Sequence, residues 1–286
     1  MRSLVVGVVL ALCACADATP KPPITIFAAA SLARPLTSLT ESFQDESRIP
    51  SLVEIGGSLE HARKLTELGR VPDVIMLVDD DVMASLVPAH LRWYVRFGTN
   101  RLGIAYGDRS AHRDSITAEN WWRILARKGV RVGRADPRVA PAGKHAVNLI
   151  EKVDGYYKSP DAGDSIMARA LQQYVRPNAT ELAALLETGE VDYIIDYESV
   201  ARQYGFQFIP LPQDLSPAIL YGIGVPRMAR DTVAGIRFTA FLLSPAGQRI
   251  LRDADVRVLA TPVAIGTAIP PELTPLVRTS APSQSR

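Results

Sequence analysis

Short apolar runs alternate along the chain with stretches whose apolar positions recur every three or four residues, and this alternation predicts an α/β protein. The runs ITIFA (24–28), SLVEIG (51–56), DVIML (73–77), RLGIAY (101–106), VRVGRA (130–135), VDYIID (191–196), FQFIPL (206–211) and AILYGIGV (218–225) read as strands. They are rich in β-branched and aromatic residues and bounded by turn formers. Helices are expected to begin near Ser31, Ser58, Asp80, Thr117, Ala142, Gly163, Ala179, Asp231 and Ser244. The chain has no internal repeat and no low-complexity core. The stretch from 108 to 217 reads as one α/β unit inserted into another, which the last strand and two C-terminal helices complete.

Composition narrows this picture. A chain of 286 residues, 47% hydrophobic and 22% charged, supports one large or two medium domains. Its 21 prolines and 19 glycines punctuate it as a many-element α/β protein requires. A net charge of +2 gives no reason to expect nucleic acid or an anionic membrane surface as partner. At the N-terminus, Arg2 followed by LVVGVVLALCA has the form of an export signal, and no spanning segment of about 20 apolar residues follows it. Both cysteines, Cys13 and Cys15, lie inside that segment. The stretch LCAC reads as a lipobox with Cys15 as the lipidated residue, and ordinary cleavage after Ala16 in an A-x-A pattern is the alternative. Either way the mature chain keeps no cysteine pair, hence no disulfide and no thiolate metal site. ADATPKPP then reads as a polar tether and PPELTPLVRTSAPSQSR as a frayed tail.

Candidate chemistry sits where strands end. AAASL at Ser31, GGSLEHARKL at Ser58 and VAPAGKHA at Ala142 each place small residues between a strand and a helix start. Small residues let a ligand approach the backbone, and helix N-termini offer unpaired N–H donors to an anion. Ser31 and Ser58 add hydroxyls, which either donate to that anion or only cap their helices. Three such places without a dedicated Lys or Arg describe a desolvated pocket for a small oxyanion; no phosphate-cradling G-x-x-x-x-G-K-[ST] loop is present.

Other motifs carry less. The acidic run at 79–81 reads as helix capping rather than a cation site. Tyr156 and Tyr157, with Tyr193 and Tyr197, could pair as iron ligands but fall in a packing pattern. His61, His90, His112 and His145 lack metal-ligand spacing, and no G-x-S-x-G elbow surrounds a serine. Trp121 and Trp122 are expected to divide between core and surface, and Ser110 reads as exposed.

Five stretches, in order, resemble the molybdate/tungstate-binding proteins that serve ABC importers, from residue 24 to about 275. FAAASLARPL is similar to that family's first serine loop, and GGSLEHARKLTELGRVPDVIMLVDD to its second with the following helix and strand. NWWRILARKGVRVGRADPRVAPAGKHA resembles its third loop, and LAALLETGEVDYIIDYESVARQYGF its fourth, closest to the tungstate-preferring branch. FTAFLLSPAGQRILRDADV resembles a C-terminal signature of binding proteins of this fold.

The resemblance implies an α/β, two-lobed periplasmic-binding-protein fold of type II, with discontinuous lobes joined by a two-strand hinge. Its divisions would be 1–15 signal peptide with lipobox, 16–23 tether, 24–107 and 218–275 lobe 1, 108–217 lobe 2, and 276–286 flexible tail. It implies that Ser31 and Ser58 donate from one lobe, that Ala142 donates its backbone N–H from the other, and that Tyr197 donates its phenol. Ala179, opening the helix in RPNATEL, would add another N–H. Asp196 stands where the tungstate branch carries a carboxylate that binds the metal of the oxyanion directly; a second carboxylate of that branch is replaced here by Ala140. The implied protein is exported, membrane-anchored through a lipid on Cys15, monomeric and without cofactor. Its partners would be the permease of an ABC importer and molybdate or tungstate, and it is not an enzyme. The alternatives are a binding protein for another tetrahedral oxyanion or ferric ion, a non-transport oxyanion-sensing lipoprotein, and a serine hydrolase built on Ser31 or Ser58, for which the sequence nominates no base.

Overall fold

The computed structural model describes residues 21–280, which places the signal segment with Cys15, most of the tether, and residues 281–286 outside the described residues. The chain opens with β1 (Ile24–Ala29), a 3-10 turn at Ala30–Leu32, and α1 (Ala33–Ser47). Next come β2 (Ser51–Gly56), α2 (Ser58–Thr66), β3 (Val74–Val78), α3 (Asp80–Ser85) and β4 (Trp93–Asn100). A second unit follows: β5 (Leu102–Tyr106), α4 (Trp121–Leu125), β6 (Val132–Ala135), α5 (Pro141–Tyr157), α6 (Ala162–Met167), β7 (Val175–Arg176), α7 (Ala179–Thr188), β8 (Tyr193–Tyr197), α8 (Glu198–Gln203) and β9 (Gln207–Pro210). The chain then returns through β10 (Ile219–Gly224), α9 (Thr232–Leu243), α10 (Pro245–Asp253), β11 (Arg257–Gly266) and β12 (Arg278–Ser280). Among the described residues no helix is long and apolar enough to cross a membrane.

Two sheets result, and they define two lobes. The first runs β12-β11-β4-β10-β3-β1-β2, and the second β7-β6-β8-β5-β9. In the first, β1 pairs parallel with both β2 and β3. Its interior strand β3 is an unbroken apolar run, VIMLV, buried at every position, as a strand covered on both faces requires. Each such side chain taken from water contributes roughly 1.5–3 kcal/mol. Helix α1 lays Leu36, Leu39 and Phe43 against the core at helical spacing, and Phe43 meets Phe238 of α9 edge-on at 5.1 Å.

The chain passes between the sheets at Arg101 and again between β9 and β10. The first crossing corrects the expected boundary at 107/108: RLGIAY belongs to the second sheet, where β5 pairs antiparallel with β8 and β9. The sequence hides β4 because Arg96, Gly98 and Asn100 interrupt its apolar positions, so RLGIAY stands in as the last strand of lobe 1. The two crossings are tied together, since Ser216 accepts from the Leu102 N–H at 3.0 Å and donates to the Leu102 carbonyl at 2.8 Å. Glu198 rivets the same region. Its nearly buried carboxylate accepts from Arg101 at 2.7 and 3.0 Å and from Arg257 of β11 at 2.8 Å. Burial alone would raise its pKa, and these guanidiniums pull it below the usual value instead.

Further expectations are corrected. The tail expected to be flexible from 276 contains β12, whose Arg278, Thr279 and Ser280 pair parallel with Val263, Ala264 and Ile265. Backbone pairing holds this polar, exposed strand, and no apolar pattern announces it. Trp121 and Trp122 are both buried, the second stacked on Tyr157. Ser110 is buried as well, accepting from the Gly107 N–H at 2.9 Å.

Each lobe is fastened by an aspartate placed just before a core strand. Asp73 accepts from the Thr25 N–H at 2.8 Å and the Asp231 N–H at 2.8 Å. Asp192 accepts from the Arg131 N–H at 2.8 Å and from its guanidinium at 2.9 and 3.0 Å. Burial opposes ionisation of both, and the donors outweigh it, so both pKa values lie below the ordinary carboxylate range. A carboxylate with a depressed folded pKa stabilises the fold above its unfolded pKa and loses that contribution as pH falls through the folded value. Asp73→Ala should therefore cost about 3 kcal/mol at pH 7 by leaving buried donors unpaired. Asp73→Asn should flatten the acid limb of the melting temperature measured from pH 6 down to pH 2. An acid limb unchanged in both variants would contradict this account.

Candidate oxyanion site between the lobes

The site forms where strand ends of both lobes face each other. Ala29 ends β1, Gly56 ends β2, Val78 ends β3 and Tyr197 ends β8, and all four line one cavity. Ser31, Ser58, Ala142 and Ala179 line it as well, together with Gly57, Ala140 and Asn178. This is the C-terminal edge of the strands, where open α/β sheets bind their ligands.

Small residues at these strand ends keep the cavity against the backbone, and helix starts supply its donors. Ser58 is the first residue of α2, Ala142 the second of α5 and Ala179 the first of α7. No side chain caps α2 or α5, whereas Asp79, Asp231 and Ser244 cap α3, α9 and α10. Side chains therefore leave the first N–H groups of α2 and α5 unused, the Glu60 N–H going to the Val139 carbonyl, while Asn178 caps α7. This rejects the capping alternative for both serines. Ser58 Oγ accepts from the Val78 N–H at 3.1 Å, and Ser31 Oγ accepts from the Tyr221 phenol at 3.1 Å. A hydroxyl used as acceptor on its protein side keeps its own proton for the cavity.

Tyr197 adds a third hydroxyl. Its OH is buried with no hydrogen-bond partner, although it lines the cavity. Burial first, and then the nearby Asp196 and Asp79 carboxylates, hold the phenol well above its usual pKa, so it remains a donor. A buried donor left unpaired costs about 1–3 kcal/mol, which a ligand acceptor would recover.

Asp196 is the one expected site residue that does not line the cavity. Successive strand residues point to opposite faces, and Tyr197 takes the cavity side. Asp196 Oδ1 accepts from the Tyr197 N–H at 2.7 Å, while Oδ2 is buried without a partner. Burial pushes this carboxyl up to about 7, against the pull of that one N–H.

The lobes close directly over the cavity. The Glu60 N–H donates to the Val139 carbonyl at 3.2 Å, Arg63 to the Arg138 carbonyl at 2.8 Å, and His145 pairs with Asp79 at 3.0 Å. Gly57 lies so near the other lobe that a Cβ there would sit 2.2 Å from the Val139 oxygen. The space is small: the centre of a water-sized sphere can move through about 20 Å³. Adding that sphere's radius of ~1.4 Å gives room for a compact body about 3 Å in radius.

Other candidates separate from the site. Neither serine is bonded to a base: His61 contacts the Ala28 carbonyl at 3.1 Å, and His145 is held by Asp79. Tyr157 accepts from the Trp121 indole, and Tyr193 donates to the Ala111 carbonyl, so the tyrosines form no paired site. Among the described residues no group of three or more His, Cys, Asp or Glu could hold a metal ion. The sequence reading missed Asn178, although an Asn before a helical run is a readable N-cap; its side chain takes the Glu181 N–H at 3.0 Å. It also missed Tyr221, whose partners lie far away in sequence.

A model of the family described as bacterial extracellular solute-binding protein matches residues 24–254. The molybdate/tungstate-binding protein WtpA of Pyrococcus abyssi is 30% identical over 308 residues, covering 89% of this chain and 89% of that protein. Among solved structures, the periplasmic molybdate-binding protein of Azotobacter vinelandii superposes with a TM-score of 0.65 at 13% identity, covering 82% of this chain and 98% of that one. A periplasmic thiamin-binding protein superposes with a TM-score of 0.67 at 15% identity, covering 91% of this chain and 90% of that one. The architecture is therefore shared by proteins named for very different ligands.

The approach at Gly57 yields a direct test. Its φ of −73° suits alanine, so Gly57→Ala should leave the ligand-free melting temperature within a few degrees. The new methyl should instead prop the lobes apart, giving a larger radius of gyration in solution scattering. A variant as compact as the wild type would show that the lobes do not meet there.

Proposed function

This chain belongs to the bacterial extracellular solute-binding proteins, and on that premise we propose that it captures molybdate or tungstate between its lobes and delivers it to an ABC importer. The observation that carries this reading is the cavity itself: a space for a body about 3 Å in radius at the strand ends, lined by small residues among which Ser31, Ser58 and Tyr197 bring hydroxyls. A compact four-oxygen anion fits those dimensions, and larger solutes such as sugar phosphates or thiamin do not.

The donors set the protonation state of the ligand. Ser31, Ser58 and Tyr197 present hydroxyl protons, and the starts of α2, α5 and α7 present backbone N–H groups. The polarised helix ends favour negative charge without a lysine or arginine on the wall. A ligand with an O–H of its own, such as hydrogen phosphate, would set donor against donor and be rejected. The likeness to WtpA supports molybdate or tungstate within this class of acceptor-only dianions.

Asp196 enters this reading in one of two ways. With its side chain as it stands, the anion stays tetrahedral and is held by donors alone. Direct coordination of the metal, as the tungstate branch suggests, requires the carboxylate to turn from its Tyr197 contact; hard oxygen suits such a metal. The orientation off the cavity wall favours the first. The protein performs no chemistry in this reading, acts as a monomer, and is tethered through a lipid on Cys15, the last point resting on the sequence LCAC alone.

Calorimetric titration of the mature protein should give tight binding of molybdate and tungstate and much weaker binding of hydrogen phosphate. Ser58→Ala should weaken molybdate binding about 10- to 150-fold by deleting a buried donor to a charged ligand. Ser38→Ala, on the exposed side of α1, should leave it unchanged. Equal losses in the two variants, or a preference for phosphate, would overturn the reading.

A further inference from the structure

Behind Ser31 runs a chain of buried polar side chains drawn from both lobes. Asn100 ends β4 at the first crossing, Tyr221 lies in β10, and Ser199 comes from α8 of the other lobe; all three are under 5% exposed. Their donor directions follow from the atoms involved. Asn100 Oδ1 accepts two backbone N–H groups, from Arg101 at 3.0 Å and Ser199 at 3.3 Å, which fixes the orientation of its amide. Its Nδ2 must then be the donor to the Tyr221 oxygen at 2.6 Å and to Ser199 Oγ at 2.8 Å.

Tyr221 has one proton of its own. Ser199 Oγ lies 3.1 Å away and carries a proton that it can give back to the phenol. Ser31 Oγ, also at 3.1 Å, is then the acceptor of the Tyr221 proton. The Ser31 carbonyl is held independently, accepting from Gln203 of α8 at 2.9 Å. With Oγ occupied as an acceptor, the serine's proton has the cavity as its remaining direction.

We propose that Tyr221 is a positioning residue for anion binding, which donates to Ser31 Oγ and thereby aims the Ser31 proton at the ligand. It touches no ligand itself; it acts through Ser31, and Asn100 sets its direction. The inference rests on the reading of the cavity as an oxyanion site. It goes beyond that reading by making a residue off the cavity wall a determinant of affinity. Burial holds the Tyr221 phenol above its usual pKa, so the donor persists at working pH.

A double-mutant cycle with sodium molybdate tests it. Tyr221→Phe should weaken molybdate binding about tenfold in the wild-type background, because Ser31 loses its imposed direction. In the Ser31→Ala background the same change should weaken it by less than about twofold, since the group through which it acts is gone. A purely structural tyrosine would give equal losses in both backgrounds, and that result overturns the proposal, as does no loss in the wild-type background. Neutron diffraction from wild-type crystals reads the same geometry without any variant. A Tyr221 hydroxyl deuteron pointing to Ser31 Oγ supports the proposal, and a Ser31 deuteron pointing to Tyr221 overturns it. Absence of molybdate and tungstate binding by the wild type would instead overturn the oxyanion reading, whereas the deuteron positions judge the relay by itself.

Discussion

The centre of this molecule is organised by helix starts and hydroxyls that meet at one small space between the lobes. A helix start leaves backbone N–H groups without intrahelical partners, and burial makes their neglect costly. At α3, α7, α9 and α10 the chain resolves that cost locally, with Asp79, Asn178, Asp231 and Ser244 capping their helices. At α2 and α5 no side chain intervenes, and the starts face a cavity between two lobes. The unpaired phenol of Tyr197 and the hydroxyls of Ser31 and Ser58, which accept on their protein side, add side-chain donors to the cavity. In the proposed function an acceptor-only anion pairs with these donors, and the size of the space keeps the anion small.

The surrounding architecture follows from this requirement. Alanines and glycines at the ends of β1 and β2 let the cavity reach backbone N–H groups, and the absence of a Cβ at Gly57 lets the other lobe approach. Closure then draws on contacts outside the cavity: Glu60 and Arg63 on one side meet carbonyls 138 and 139 on the other, and His145 meets Asp79. Behind the site, Glu198 and Ser216 fix the two crossings. Gly57 belongs both to the binding wall and to the closing surface, whereas Glu60, Arg63, Asp79 and His145 belong to the closing surface and not to the wall.

Much of this was legible in the sequence. Eight strands announced themselves through β-branched runs, and Ser31, Ser58 and Ala142, which line the cavity, carry a local signature of a small residue or hydroxyl at a strand-to-helix junction; Ala179, also on its wall, was pointed to by the resemblance alone. What stayed hidden was decided by distant partners. Strand β4 carries Arg96 because Asp80 neutralises it, and Asn100 because Tyr221 and Ser199 receive its protons. Strand β12 pairs its backbone with β11 and carries no apolar pattern of its own. Asp196 shows the limit of alignment to a resemblance: its position matches, but strand alternation turns its side chain off the cavity wall.

The account stands or falls on a donor-only wall around a tetrahedral anion, and X-ray absorption at the metal edge of the protein–tungstate complex reads that directly. The expected result is a single shell of four short oxygen distances, with no further oxygen bound to the tungsten. An additional, longer metal–oxygen distance that disappears in Asp196→Asn would mean that a carboxylate enters the coordination shell, and would contradict the donor-only wall.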